Sequence, residues 1–180
     1  HYNNGTQNQV TSTAVYRDPS AWYHIVGAVD TTQATSSNRL KIYVNGSQIT
    51  AFSTATYPTQ NLNSSYWNAT SSHNIGAAIA AGVAYGNGYI TEINFIDGQA
   101  LTPSSFGMTD PVTGVWEPLK YSGTYGTNGF YLKFADASAA TAAAIGKDSS
   151  PNGNNWTPNN ISVTAGATYD AMIDSPTLSA

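Results

Sequence analysis

The dipeptide Asn45-Gly46 constrains this chain most, because it ends a run, Arg39-Leu40-Lys41-Ile42-Tyr43-Val44, that alternates between two faces. Leu40, Ile42 and Val44 share one face and Arg39, Lys41 and Tyr43 the other, a period of two that suits a half-buried strand. Asn-Gly tolerates positive φ at both centres of a type I′ turn, so Val44 is expected to fold straight back into Ser47-Gln48-Ile49-Thr50. Upstream, Trp22-Tyr23-His24-Ile25-Val26-Gly27-Ala28-Val29-Asp30 mixes aromatic and β-branched residues without a helical period and reads as the partner strand. Residues 31–38, between the two strands, are all small or polar and suit a loop.

The remaining punctuation is also that of a β protein. Val10 to Tyr16 reads as an edge strand ending at the turn Arg17-Asp18-Pro19-Ser20. After a further strand near Ala51 to Tyr57 comes a long polar segment, Pro58 to Ser72, of the kind that either carries function or packs over a sandwich edge. Thr102-Pro103-Ser104-Ser105-Phe106-Gly107 supplies an N-cap residue, Pro at the first helical position and a terminating Gly, which predicts one short helical turn. Residues 108–129 read as a linker or irregular hairpin anchored by Trp116 and Tyr125, and the Ala139 to Ala144 tract suits a short helix and a β-associated loop alike.

The chain of 180 residues has room for one packed sandwich, or one and part of a second. Only 9% of its residues are charged and its formal net charge is -4, so no basic surface exists to track phosphates and nucleic acid is not expected as a partner. With no cysteine, neither disulfides nor thiolate metal sites are available and packing must carry the stability. No apolar run approaches the roughly 20 residues of a membrane helix, so no membrane insertion is expected. The chain opens on His1 without an initiator Met or a signal-type segment, and is expected to be a piece or processed product of a longer protein. Low charge, abundant Asn, Ser and Thr, and 12 Tyr suit a virion surface or an extracellular location.

The strand W-Y-H-I-V-x-x-V-D, the polar loop and R-L-K-I-Y-V-N-G resemble the middle of a laminin G-like domain of the concanavalin A-like lectin and glucanase superfamily. Ser72-His73-Asn74-Ile75-Gly76, Gly88-Tyr89-Ile90-Thr91-Glu92-Ile93-Asn94-Phe95-Ile96-Asp97 and Ala100-Leu101-Thr102 resemble the "I-G … G-x-I-x-E-I … L" close of such domains. Residues 89–162, especially Ile96-Asp97-Gly98-Gln99-Ala100-Leu101 and Gly126-Thr127-Asn128-Gly129-Phe130-Tyr131-Leu132, also resemble phage and prophage virion proteins, often tail-associated. The run Phe130 to Asp136 with Gly146 to Trp156 resembles the opening of a laminin G-like domain, "L-x-F-D … D-S-S-G-N-G-N", with Pro151 in place of the usual Gly and Ala135 before Asp136.

The resemblance implies an all-β, jelly-roll (concanavalin A-like) β-sandwich, left incomplete here or completed by a neighbouring chain. Three segments are expected: a laminin G-like sandwich over 1–107, the linker or hairpin over 108–129, and a strand-rich segment over 130–180. Because a front-half-like segment stands at the back, the chain is expected to belong to a longer parent, to fold back in a permuted order, or to complete a neighbour's sheet by strand addition.

Glucan-cutting members of the superfamily carry a paired-Glu strand, E-x-D-x-(x)-E. The nearest match, Glu92 to Asp97, has Asn94 for the central Asp and Ile96 at the tighter second position, and only Glu117 remains elsewhere. No catalytic residues are assigned, and Glu92 is expected to be a structural hydrogen-bonding residue. His1, His24 and His73 show no zinc-ligand spacing, and Gly82 to Gly88 lacks the Lys and helix of a phosphate loop. No cofactor is expected, calcium being the one ion the family often holds; Asp30, Asp97 and Asp148 are its candidates, set against turn capping by the same side chains. Glycan recognition needs flat aromatic faces and planar amides without charge, which Tyr57, Tyr66, Trp67, Asn68, Tyr85, Asn87 and Tyr89 supply. Asn4, Asn45, Asn63, Asn68 and Asn160 stand in glycosylation sequons. The expected partners are a glycan or host surface receptor, other copies of the chain, or other virion proteins. The expected function is a non-catalytic virion or extracellular module for host adhesion, the alternatives being a purely structural capsid, tail-fibre or filament subunit and, more distantly, a remnant glycoside hydrolase.

Overall fold

The computed structural model describes residues 2–3, 6–64, 68, 72–78, 84–166 and 169–171. By contacts the chain divides into two compact units, His1–Tyr89 and Ile90–Ala180. Every strand pairing among the described residues is antiparallel, and the only described helical elements are two 3-10 turns, Ser36–Asn38 and Pro103–Ser105. The chain is all-β, in keeping with an antiparallel sandwich.

The first unit holds β1 (Tyr2–Asn3), β2 (Thr6–Gln7), β3 (Gln9–Ser12), β4 (Ile25–Val29), β5 (Leu40–Val44), β6 (Ser47–Gln48), β7 (Phe52–Thr56), β8 (Ala77–Ala78) and β9 (Ala84–Tyr85). Its central sheet runs β4-β5-β6, and β3 pairs with β7, β1 with β2 and β8 with β9. Asn45 at φ 47 and Gly46 at φ 78 give the expected positive-φ pair between β5 and β6. Asn45 also locks the far side of the sheet. Its N–H donates to the His24 carbonyl at 2.8 Å, and its Oδ1 accepts the His24 N–H at 2.8 Å. β4 therefore begins just after His24, three residues later than the aromatic run that announces it.

Burial departs from the simple two-face reading of β5. Tyr43, on the face it shares with Arg39 and Lys41, is buried together with its cross-strand partner Val26, whereas Leu40, Ile42 and Val44 on the other face are half-buried. On the face of those three, Ile25 is 66% and Val29 41% exposed. Alternation identifies two faces; which one is covered depends on what packs over it. The edge strand expected over 10–16 is shorter and earlier, at β3, with a register shift between Thr11 and Ser12. The Asp18 turn forms as expected, its Oδ1 accepting the Ser20 N–H and hydroxyl at 2.9 and 2.6 Å. Arg39 fastens the polar loop by donating to the carbonyls of Gln33, Ala34 and Pro58 at 2.7, 2.8 and 3.0 Å.

The second unit holds β10 (Ile93–Phe95), β11 (Gly107–Thr109), β12 (Trp116–Pro118) and β13 (Phe130–Leu132). β10 pairs with β13 and β11 with β12. The contact division falls between Tyr89 and Ile90, and the strand that closes the sequence motif pairs with Phe130–Leu132. The short helix appears as a single 3-10 turn. Thr102 makes no side-chain cap to the backbone, sharing a hydroxyl hydrogen bond with Ser104 instead. Gly107 does not terminate it as a left-handed residue but enters β11, where an added Cβ would collide with the Trp116 ring. The Ala139 to Ala144 tract forms turns, with Thr141 O accepting the Gly146 N–H at 3.1 Å.

Aromatic rings build this unit's core. Phe106 contacts Tyr121 at 5.1 Å between centroids, Tyr121 meets Tyr125 edge-on at 5.2 Å, and Tyr125 stacks on Tyr131 at 6.4 Å. Phe130 lies between Phe95 at 5.5 Å and Trp156 at 4.9 Å. Leu132 is fully buried, and Ile145 and Ala144 are also buried. Such ring contacts add to area burial and supply stability that no disulfide provides here.

Candidate functional site

Tyr57, just after β7, lines a groove of about 270 Å³ with Phe52, Asn38, Lys41, Gln48 and Leu40. The volume falls just below the range of small-ligand sites, roughly 300–1,000 Å³. Two aromatic side chains supply apolar surface, while the Asn38 and Gln48 amides and the Ser37 and Thr50 hydroxyls supply donors and acceptors. Asn38, Gln48 and Phe52 carry no sequence signal for this role; the hairpin turn and the 3-10 turn at Ser36–Asn38 bring them to Tyr57.

Tyr85 and Tyr89 are 72% and 73% exposed, and Asn87 between them is exposed. Tyr85 ends the β8–β9 hairpin, which the Gly86 N–H extends by donating to Gly76 O at 2.7 Å. Among the described residues no hydrogen bond or ring contact joins Tyr57 to Tyr85, Asn87 or Tyr89. The structure thus gives the sequence candidates two settings, a lined groove and an open aromatic stretch. Tyr66 and Trp67 lie outside the described residues, and Asn68 is exposed at φ 57.

Each calcium candidate accepts hydrogen bonds from N–H or O–H donors: Asp30 within its own turn, Asp97 from a loop 31 residues on, and Asp148 from both its own turn and Tyr131. Asp30 Oδ1 accepts the Thr32 N–H and hydroxyl at 3.0 and 2.6 Å, and Oδ2 accepts the Gln33 amide at 2.6 Å. Those hydrogen bonds, the Thr32 and Gln33 side chains first, hold its pKa below the ordinary value. Asp97 Oδ2 accepts the backbone and side-chain N–H groups of Asn128, both at 3.1 Å. Asp148 is 4% exposed, and four donors surround it. Its Oδ1 accepts from the N–H groups of Tyr131 and Ser150 at 2.7 and 2.8 Å, its Oδ2 from the Ser150 hydroxyl and the Asn154 N–H, both at 2.8 Å. Burial pushes its pKa up, but these donors, led by the Tyr131 N–H, outweigh it and the net shift is downward. Both oxygens are turned to N–H and O–H donors, the capping arrangement of an Asx turn. Among the described residues no three His, Asp or Glu side chains gather into a metal-ligand cluster.

The segment Asp148-Ser149-Ser150-Pro151-Asn152-Gly153-Asn154 is a clamp on residues 126–129. Asn152 Nδ2 donates to the carbonyls of Gly126 and Gly129 at 2.6 and 2.8 Å, and Asn154 Nδ2 to those of Thr127 and Gly129 at 3.2 and 3.0 Å. Glu92, at φ 49 just before β10, accepts the Tyr131 hydroxyl at 3.2 Å, and Asn94 Oδ1 accepts that of Tyr125 at 2.9 Å. Burial first, then the Glu92 charge, raises the Tyr131 pKa; burial, then Tyr121, Asp148 and Glu92, lifts Tyr125 to about 12. Both phenols therefore stay protonated and donate. Glu117 stands on β12 opposite Met108.

Of the sequon residues, Asn63, Asn68 and Asn160 are exposed, Asn45 is exposed within its hairpin turn, and Asn4 lies outside the described residues. Asn155-Trp156-Thr157 is a further sequon. Its Asn155 Oδ1 accepts the Asp148 N–H at 2.8 Å. His24 is half-buried, and that burial lowers its pKa. No helix among the described residues is long and apolar enough to cross a membrane.

A laminin G family model, described as the concanavalin A-like lectin/glucanases superfamily, matches residues 1–105. The chain belongs to this superfamily. The superfamily match takes in the whole first unit, both resembling stretches around Asn45 and Glu92, and the turn at Pro103–Ser105; it ends before β13 and Asp148. Comparison with curated proteins and comparison with solved structures each gave no match.

Proposed function

We propose that this laminin G-like chain is a non-catalytic recognition module that binds a glycan through the groove at Tyr57, on an extracellular or virion surface. The observation that carries the reading is the groove's lining. Two aromatic side chains beside two amides and two hydroxyls match the apolar C–H faces and the hydroxyl edges of a sugar ring. Superfamily membership is compatible with carbohydrate or receptor binding and supports the same reading. The open pair Tyr85 and Tyr89 offers a second aromatic contact for a longer chain or for a protein receptor. The departures of Glu92 to Asp97 from the paired-Glu pattern, with Glu92 engaged by Tyr131, support a binding role rather than hydrolysis. Sequence likeness to tail-associated proteins favours a host-adhesion setting.

The test is isothermal titration of the chain with a panel of neutral polysaccharides, alongside Tyr57→Ala and Tyr85→Ala. Loss of the Tyr57 ring is expected to weaken binding about tenfold, or about 1.4 kcal/mol. An absence of saturable binding across the panel, or equal affinity for wild type and both variants, would remove the glycan reading. A second reading, a structural subunit, is favoured by the partly exposed apolar face at Ile25 and Val29.

A further inference from the structure

Five Asn-Gly pairs stand in the sequence: Asn4-Gly5, Asn45-Gly46, Asn87-Gly88, Asn128-Gly129 and Asn152-Gly153. An Asn side chain followed by a residue without a Cβ is open to attack by the next backbone nitrogen, so each pair is chemically labile until the fold restrains it. Three of them are restrained. Asn45 Oδ1 accepts the His24 N–H at 2.8 Å, Asn128 Nδ2 donates to Asp97 Oδ2 at 3.1 Å, and Asn152 Nδ2 donates to the Gly126 and Gly129 carbonyls at 2.6 and 2.8 Å. Asn4-Gly5 lies outside the described residues. Asn87-Gly88 is exposed and stands beyond the Gly86 N–H to Gly76 O bond that extends the β8–β9 hairpin. Among the described residues neither the Asn87 amide nor the Gly88 N–H has a hydrogen-bond partner. A Cβ built at Gly88 meets nothing within 4 Å, so no neighbour crowds the attacking nitrogen.

We propose that Asn87 is a site of spontaneous modification, converted through a cyclic imide with Gly88 into aspartate and isoaspartate. The Gly88 nitrogen gives its proton to hydroxide and bonds to Asn87 Cγ. The Cγ–Nδ2 bond then breaks, and Nδ2 leaves as ammonia with a proton taken from water. Water next adds to one of the two imide carbonyls. Breaking the bond from the Gly88 nitrogen to Cγ gives aspartate on the original backbone; breaking its bond to the Asn87 backbone carbonyl carbon gives isoaspartate, with the backbone rerouted through Cβ and Cγ. One water enters, one ammonia leaves, and nothing is oxidised or reduced. The product carries a carboxylate within residues 74–91, which hold no charged side chain, and sets it between the open rings of Tyr85 and Tyr89. The isoaspartyl form also lengthens the backbone between those rings by one methylene. The conversion is independent of any glycan at Tyr57.

The experiment holds the full chain in mildly alkaline buffer, folded and in parallel unfolded in urea, and follows the Asn-Gly pairs by peptide mapping with mass spectrometry. In the folded chain the peptide holding Asn87 is expected to gain about 1 Da, as a mixture of aspartate and isoaspartate. It is expected to do so roughly tenfold or more faster than the peptides holding Asn45, Asn128 and Asn152, which must first break hydrogen bonds of the fold. In urea the four rates are expected to converge. Gly88→Ala places its Cβ in open space at a position without positive φ, and is expected to slow conversion at Asn87 roughly tenfold while leaving the other three unchanged. Equal rates at the four pairs of the folded chain, or a faster one at a restrained pair, overturn the proposal. So does a Gly88→Ala variant that converts at the wild-type rate. A product free of isoaspartate overturns it as well, since direct hydrolysis of the side-chain amide gives aspartate alone.

Discussion

Replacing Asp148 by Asn tests whether the clamp around that carboxylate holds the second unit together. The shape is conserved, but one oxygen becomes an NH₂ group facing two of the four donors. If the remaining oxygen keeps Tyr131 and Ser150 N–H, the NH₂ confronts the Ser150 hydroxyl and the Asn154 N–H. The hydroxyl can rotate and accept; the backbone N–H cannot. A hydrogen bond to a charged group contributes about 1.5–3 kcal/mol and a stranded buried donor costs about 1–3 kcal/mol, so a loss near 3 kcal/mol is expected. For a unit of this size 1 kcal/mol moves the midpoint by about 4–8 °C, which gives a drop of about 12–24 °C. Urea and thermal unfolding followed by the fluorescence of Trp156, which packs on Phe130, report on the right unit. The pH dependence gives a second reading. Because the folded pKa lies below the ordinary 3.8, the stabilisation is complete above that value and is lost as pH falls through the folded pKa. The other lowered carboxylates are common to both proteins, so the gap between wild type and Asn variant is expected to close in acid. A variant within about 0.5 kcal/mol of wild type at neutral pH, or a gap independent of pH, would refute the reasoning.

Gly129→Ala is expected to destabilise the second unit by more than about 3 kcal/mol. Its Cβ would strike the backbone carbonyl of Tyr125 and lie 2.8 Å from that of Phe95, and backbone cannot swing aside as a side chain does; comparison with Gly114→Ala, strained at φ 72 but unobstructed, by urea denaturation separates crowding from φ strain. Asn45→Ala removes both the left-handed preference and the Oδ1 acceptor for His24, and should cost the first unit about 1–2 kcal/mol by the same assay. An Asn45→Ala variant as stable as wild type would mean that the turn is held by its strands alone.

How much of this was legible in the sequence follows the range of each interaction. Asn45-Gly46 determined its own turn because positive φ at two successive residues is a property of those residues, and the alternation around it determined that β5 is a strand. The Asp18 and Asp148 turns were equally readable, since an Asp side chain reaches N–H groups two residues on. The superfamily followed from the same stretches. Other features needed the fold. Nothing near Tyr43 in the chain says that its face, and not that of Leu40, Ile42 and Val44, would be covered. Tyr131 reaches Asp148 across 17 positions and Glu92 across 39, and the grouping of Tyr57 with Asn38 and Gln48 joins three separate turns and strands. Backbone conformation and capping are written into a few adjacent residues; burial, a fully satisfied buried carboxylate and the shape of a groove depend on which distant segments arrive together, and that was decided by the tertiary structure.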